Sequence, residues 1–460
     1  MLASLLPACA ATPAPSSAPA ATSSAAAAPP PPTSSAPVTP PAVVTPDARA
    51  KEVLGLLRKE DFAAAVALFD TKMTAALPAD KLGPVWRGLL EQAGAVSTCE
   101  EPRVAPAGRY TLVVVRCKLE RASIDVKVTL DTDQRVAGLF FVPTQPPWAP
   151  PAYAGASSER EVTVGAEPWA LPGTLTMPEG AGPFPAVVLV HGSGPGDRDE
   201  SVGVIKPFKD LALGLAAQGI AVLRYEKRTR VHAAKIVMDG FTVQEETVDD
   251  AVLAAQLLRK TQGIDPRRIV VIGHSLGGEL VPRIGKRDPA LAGLVSLAGS
   301  TRPLAELVVE QTRYLVSVAG PVTPEGQAKI DEATRSAARL REVEAGAQAA
   351  PGELVFGAPA SYWRDLRGYD APAEAAKLRI PIFVLQGGRD YQVTEADFRG
   401  WQKALGKSPR AKLSLYPKLN HLFVAGEGKS VPAEYQVMGH VDAEIVRDVA
   451  AWIKKLSPGR

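Results

Sequence analysis

Cysteine and histidine are scarce in this 460-residue chain, with three Cys and five His. That is too little for a disulfide framework or a multi-metal centre, and no metal site is expected. No apolar run reaches the length of about 18 residues that a membrane-spanning helix needs. An excess of one charge is missing too. The 52 Lys and Arg stand against 49 Asp and Glu, a net of +3, too balanced to imply nucleic acid or an anionic membrane as the main partner. What is present is ordinary globular composition, 46% hydrophobic and 22% charged, in a chain long enough for two or three domains.

The missing charge is unevenly spread. No charged side chain precedes Asp47, and residues 1–47 hold 14 Ala and 12 of the 42 Pro. Such a stretch has too little bulky apolar surface to offset its ordering entropy, so 10–47 reads as an extended tether. The opening MLASLLPAC resembles the end of a lipoprotein signal, with small residues before Cys9, although it lacks a basic region and a full apolar stretch. Residues 1–9 are therefore read either as a signal remnant that leaves Cys9 for lipidation or as low-complexity tail. The corresponding placement is extracytoplasmic, lipid-anchored or periplasmic, with a cytoplasmic one left open.

Residues 48–82 space their apolar positions by about 3.6, which predicts two short amphipathic helices. From Val96 the pattern alternates, and Thr111, Val113, Val115, Cys117 and Leu119 share one strand face. SIDVKVTLD and VAGLFFVP follow as strands, giving a small α+β domain over 48–145. Cys99 and Cys117 fall on neighbouring strands, where a bridge and two reduced buried thiols are equally compatible with the pattern. A Pro-rich linker covers 146–158.

From residue 159 a hairpin-like pair precedes near-continuous apolar strands alternating with helices, the pattern of a mostly parallel sheet covered on both faces. The strands expected there are 185–190, 219–225, 267–273, 291–299, 380–387 and 411–417. Residues 301–377 interrupt them with helical sequence and read as an inserted cap.

Within this α/β region, Gly273-His274-Ser275-Leu276-Gly277 lies between a strand and a helix start. A serine hydroxyl is a poor nucleophile unless exposed, oriented and paired with a base; a tight strand–helix turn does the exposing. The plainer reading is Ser275 as a helix cap. An acid and a His should follow at later strand ends. Asp390 comes after IPIFVLQGG and His421 after the last strand, the order Ser, Asp, His expected of an α/β-hydrolase. Asp397 is the rival acid and His440 the rival base. HGSGPGDRDE lacks the Lys-Ser/Thr of a phosphate loop, so no nucleotide or other cofactor is implied. It reads instead as an oxyanion loop, with Ser193 donating one N–H (Gly194 the alternative) and Leu276 the other. His191 reads as a structural residue of that turn. The run from Asp197 to Glu200 reads by default as a solvated loop, with internal pairing as the alternative. Lys227, Arg228 and Arg230 follow a strand end and read as solvated or ion-paired, with contact to an anionic substrate as the alternative. Tyr362, Trp363 and Tyr369 are candidate walls of an acyl pocket, or else packing between cap and core.

The segments HGSGPGDRDE, PFKDLALGLAAQGIAVLRYEKR, GHSLGGELVPRI, SYWRDLRGYD and LQGGRDYQV together resemble the bacterial two-domain carboxylesterases of the α/β-hydrolase fold, often described as serine-aminopeptidase-like hydrolases. The resemblance covers roughly 159–460. It departs at RYEKR, where members read closer to RYDKR, and nothing is inferred from Glu226. Residues 48–145 resemble the small domain of unknown function that precedes some of these enzymes, and more distantly the nuclear-transport-factor-2-like class. The resemblance implies a serine esterase that hydrolyses small acyl esters through an acyl-enzyme. A peptidase or acyltransferase using the same residues is the alternative, and a non-catalytic surface-binding lipoprotein is the second.

Overall fold

A computed structural model describes residues 44–107, 110–144 and 148–459, which form two compact units, 44–144 and 148–459. Cys9 and nearly all of the tether lie outside the described residues. Among the described residues no helix is long and apolar enough to cross a membrane.

The smaller unit packs four helices, Pro46–Arg58, Phe62–Ala67, Thr71–Ala76 and Ala79–Ala93, against an antiparallel sheet. Two helices were expected over 48–82. The run breaks because Asp61 and Asp70 each start a new helix, accepting from Ala64 N at 3.1 Å and Met73 N at 2.6 Å. The sheet comprises β1 (Val96–Cys99), β2 (Arg103–Ala107), β3 (Tyr110–Leu119), β4 (Ser123–Leu130) and β5 (Val136–Pro143), in the order β1-β3-β4-β5 with β2 also pairing β3. Val113, Val115, Cys117 and Leu119 of β3 face Val53, Leu57 and Trp86 in one apolar core, as period-two alternation requires. Cys99 and Cys117 sit directly opposite each other on β1 and β3 and are bridged.

In the larger unit, β6 (Ser157–Val164) and β7 (Leu171–Pro178) form an antiparallel hairpin. They are followed by β8 (Phe184–Val190), β9 (Ala221–Tyr225), β10 (Ile264–His274), β11 (Gly293–Leu297), β12 (Ile382–Gly387) and β13 (Ala411–Tyr416). The order across the sheet is β13-β12-β11-β10-β8-β9-β7-β6, and the six strands from β8 onward are mutually parallel. Their apolar runs are continuous because both faces are buried. Val187, Leu189, Val270 and Ile272 pack under helices Pro207–Ala217 and Ala443–Lys455. On the other face, Ala186, Val188, Ile269 and Val271 pack under helices Asp249–Arg259, Leu276–Arg287 and Glu395–Leu405. Each fully buried Val or Ile contributes about 1.5–3 kcal/mol. Between β11 and β12 the cap adds helices Leu304–Val318, Pro324–Glu344, Ala360–Leu366 and Ala371–Lys377. Its apolar residues Ala337, Leu340, Tyr362 and Trp363 cluster with Leu276 and Leu280 of the helix Leu276–Arg287. The C-terminal ends of β8, β10, β12 and β13 carry the site.

Candidate active site

β10 delivers Ser275 into a turn that only close packing can hold. Its φ of 53° is left-handed, a conformation that costs a non-glycine residue of order 1–3 kcal/mol and recurs at functional sites. The helix beginning at Leu276 can approach β8 and β10 this closely because Gly273 and Gly277 lack side chains. A Cβ on Gly277 would lie 2.3 Å from Val190 O, and one on Gly273 would lie 2.1 Å from Gly277 O. Ser275 does not cap the helix with its side chain. Its backbone N–H donates to Leu297 O at 2.9 Å, and its hydroxyl has no hydrogen-bond partner among the described residues.

β12 ends at Gly387, and the chain turns through Gly388 into Asp390. One carboxylate oxygen, Oδ1, accepts from the N–H groups of Gln392 and Val393 at 2.8 and 3.0 Å. The other, Oδ2, accepts from Gln386 Nε2 at 3.2 Å and pairs with His421 Nδ1 at 2.7 Å. His421 stands in the turn after β13, which Asn420 Oδ1 ties by accepting from Leu422 N and Val424 N at 3.0 and 3.1 Å. A carboxylate oxygen only accepts, so Nδ1 of His421 donates and the lone pair falls on Nε2. Burial pushes the imidazole below its ordinary range and outweighs the opposing pull of Asp390.

His274, adjacent to Ser275, links these parts. Its Nε2 donates to His421 O at 2.9 Å, and the two rings lie 4.7 Å apart. Its Nδ1 approaches Glu200 Oε2 at 3.0 Å, an ion-pair distance whose angles fall short of a hydrogen bond. Burial works against the imidazolium of His274, but Glu200 outweighs it and raises the pKa. Burial likewise raises that of Glu200, and His274 with the Gly192 N–H brings the net shift downward.

The loop after β8 abuts the serine: a Cβ on Gly192 would lie 3.1 Å from Ser275 Cβ. The N–H groups of Ser193 and Leu276 donate to no described group. His191 braces the turn, its Nε2 meeting Asp197 O at 2.8 Å and its ring packed on Phe208 and Tyr225. The default reading of a solvated run from Asp197 to Glu200 is corrected here. Arg198 bonds Glu161 and Glu226, Asp199 pairs Arg224 and Lys206, and Glu200 accepts from Gly192 N at 2.7 Å. A charged loop folded over a sheet edge loses its water and must find partners inside. Lys227 and Arg228 are likewise buried and paired, with Glu246 and Asp250, while Arg230 meets Glu226 at the surface. Sequence reading gave no role to Glu246 or His274, and did not place Glu200 and Lys227 against the turn that carries Gly192. For Lys227, its position directly beyond an apolar strand was the available signal.

The rivals are committed elsewhere. Asp397 is wholly buried in a capping box with Thr394 and pairs Arg302 at 2.8 Å. His440 meets Asp210 at 3.1 Å. Tyr362 donates to Glu246 at 2.6 Å, Trp363 to Val355 O at 2.8 Å and Tyr369 to Glu279 O at 3.0 Å, so all three pack cap against core with their polar tips occupied. A cleft of about 430 Å³ on the cap is lined by Arg302, Glu306, Glu310, Arg313 and neighbours, and by none of Ser275, Asp390 and His421. Among the described residues no group of three or more His, Cys, Asp or Glu is arranged to hold a metal ion.

Residues 182–428, more than half of the chain, match the family model described as serine aminopeptidase, S33. The chain belongs to that hydrolase family. It is an enzyme of α/β-hydrolase fold with a separate α+β domain in front, and residues 50–139 match a family described as a protein of unknown function, DUF3887. The esterase EstD of Thermotoga maritima is 39% identical over 403 residues, 87% of this chain and 93% of that protein. Among solved structures, this hydrolase is similar to Est1E from Butyrivibrio proteoclasticus, with 15% identity over 64% of this chain and 98% of that one, and a TM-score of 0.40. An esterase of Pyrococcus furiosus gives 14% identity, 68% and 96% coverage and a TM-score of 0.43.

Proposed function

We propose that this chain is a serine carboxylesterase for small acyl esters, working without a cofactor. The observation that carries this reading is the buried His421–Asp390 pair, 2.7 Å long, at the strand ends where Ser275 emerges. His421 Nε2 takes the Ser275 proton as Oγ attacks the ester carbonyl. Asp390 keeps the proton on Nδ1 and stabilises the imidazolium, and the N–H groups of Ser193 and Leu276 receive the oxyanion. The imidazolium returns its proton to the leaving alcohol. Water, activated by the same imidazole, then hydrolyses the acyl-enzyme. The missing Ser275–His421 hydrogen bond is compatible with this, since such contacts tighten on binding substrate. The esterase relative supports an ester over an amide.

The test is hydrolysis of p-nitrophenyl acetate, butyrate and octanoate by wild type and Ser275→Ala. Turnover is expected to disappear in the variant with the fold intact, and retained turnover would end the mechanism. Running an aminoacyl amide beside the matching ester distinguishes a peptidase. We also read the protein as extracytoplasmic, a placement that the Cys99–Cys117 bridge supports. Lipidation at Cys9 belongs to the same reading, and mass spectrometry of membrane-fraction protein tests it.

A further inference from the structure

Gly192 is gripped on both sides by buried charged side chains. Its N–H donates to Glu200 Oε1 and its carbonyl accepts from Lys227 Nζ, both at 2.7 Å. Lys227 is 2% exposed, just past β9, and its own backbone N–H donates to Gly196 O at 3.1 Å. Its other side-chain partner is Glu246 Oε1 at 3.0 Å. Glu246 lies in a π-type turn, Gln244–Val248, and its second oxygen accepts the Tyr362 hydroxyl at 2.6 Å. Tyr362 belongs to the cap helix Ala360–Leu366, and burial beside Glu246 pushes its phenol well above the ordinary range, so it stays a donor. Replacing a buried ammonium–carboxylate pair by well-packed apolar residues of the same volume is often neutral or stabilising. What this pair visibly does is orient the Gly192 carbonyl.

In a trans peptide the carbonyl and the following N–H point in opposite directions. Drawing Gly192 O onto Lys227 therefore turns the N–H of Ser193 away from Lys227, and that N–H has no partner among the described residues. We propose that Lys227 is a positioning residue for ester hydrolysis. It holds the Gly192–Ser193 peptide in the orientation that makes Ser193 an oxyanion donor, and the Glu246–Tyr362 link makes that hold depend on the seating of the cap. The inference rests on the serine mechanism proposed above and adds the device that sets its oxyanion donor.

The experiment uses the full chain, p-nitrophenyl butyrate and a trifluoromethyl ketone of matching acyl length, whose carbonyl adds Ser275 Oγ to give a tetrahedral oxyanion. Lys227→Met should lower kcat by about 10²-fold, the cost of losing one oxyanion donor, with KM little changed. The ketone should weaken by the same factor as kcat/KM falls, which a merely structural role would not produce. Tyr362→Phe should lose about 3- to 30-fold in both quantities, the range of coupling through a contiguous network. Folded Lys227→Met with kcat and ketone affinity within about threefold of wild type would overturn the proposal. If Lys227→Met does not fold, Tyr362→Phe decides, and unchanged kcat and ketone affinity there would overturn it. Failure of the underlying mechanism would show separately, as turnover retained in Ser275→Ala.

Discussion

Replacing Asp390 by Asn removes one charge and barely changes shape, yet the surroundings decide how the amide must sit. Gln392 and Val393 both aim N–H groups at Oδ1, at 2.8 and 3.0 Å, so the amide oxygen is held on that side. The NH₂ group then takes the place of Oδ2, facing His421 Nδ1 at 2.7 Å and the Gln386 amide at 3.2 Å. Donor meets donor unless His421 moves its proton to Nε2. In that tautomer Nε2 has no lone pair with which to accept from Ser275. Flipping the amide instead would point its NH₂ at two backbone N–H groups, which is worse. The expected loss in kcat is about 10⁴-fold, or 5–6 kcal/mol of transition-state stabilisation, with KM changed little. The assay is p-nitrophenyl butyrate hydrolysis by Asp390→Asn, with circular dichroism confirming the fold. A kcat within about tenfold of wild type would refute the tautomer argument and remove Asp390 from the mechanism.

Because burial holds the His421 imidazole below its ordinary value near 6.5, the base stays neutral into mildly acidic solution. The acidic limb of the kcat/KM profile should therefore lie below that pH, and a limb centred above pH 7 would contradict the burial argument. Glu279, one turn beyond Ser275, is buried against the Ser300 hydroxyl, and burial pushes its carboxyl up to about 7. The folded state thus holds this proton more tightly than the unfolded chain. The stability it contributes is full below about pH 4.5 and declines as pH rises to about 7, by about 3 kcal/mol in all. Glu279→Gln should remove that decline, so its melting temperature relative to wild type should be higher at pH 8 than at pH 5; equal differences would refute it. The Cys99–Cys117 bridge closes a loop of 18 residues, for which loop entropy gives about 3 kcal/mol. Thiol titration of the unfolded, unreduced protein should find neither Cys reactive, and two reactive thiols there would disprove the bridge.

Much of this was legible in the order of residues along the chain. The strands of the parallel sheet announce themselves because both their faces are buried, so runs such as PAVVLV and RRIVVIG need no polar alternation. The positions of Ser275, Asp390 and His421 are equally local signals, each a short turn directly after an apolar run. Local grammar also marked residues 301–377 as an insertion, since no ordinary connection between strands is that long. It misjudged the helices of the small domain, where the capping carboxylates of Asp61 and Asp70 cut one periodic run into several pieces.

What only the tertiary structure decided is which charges are buried and whom they meet. Nothing in DRDE or YEKR distinguishes a solvated loop from a desolvated one. Partners such as Glu161, Glu246, Asp250 and His274 lie tens of residues away and reach the loop only once the sheet has closed. For the same reason, sequence order could prefer Asp390 and His421 over their rivals Asp397 and His440, but only the fold shows which acid lies beside His421. Asp397 and Asp390 are seven residues apart, and the choice rests on where β12 ends, which puts one beside His421 and the other at the start of a helix facing Arg302. Apolar patterning is written locally because each side chain meets water or core by its own position. Electrostatic roles are written in pairs, and the pairs exist only in the folded chain.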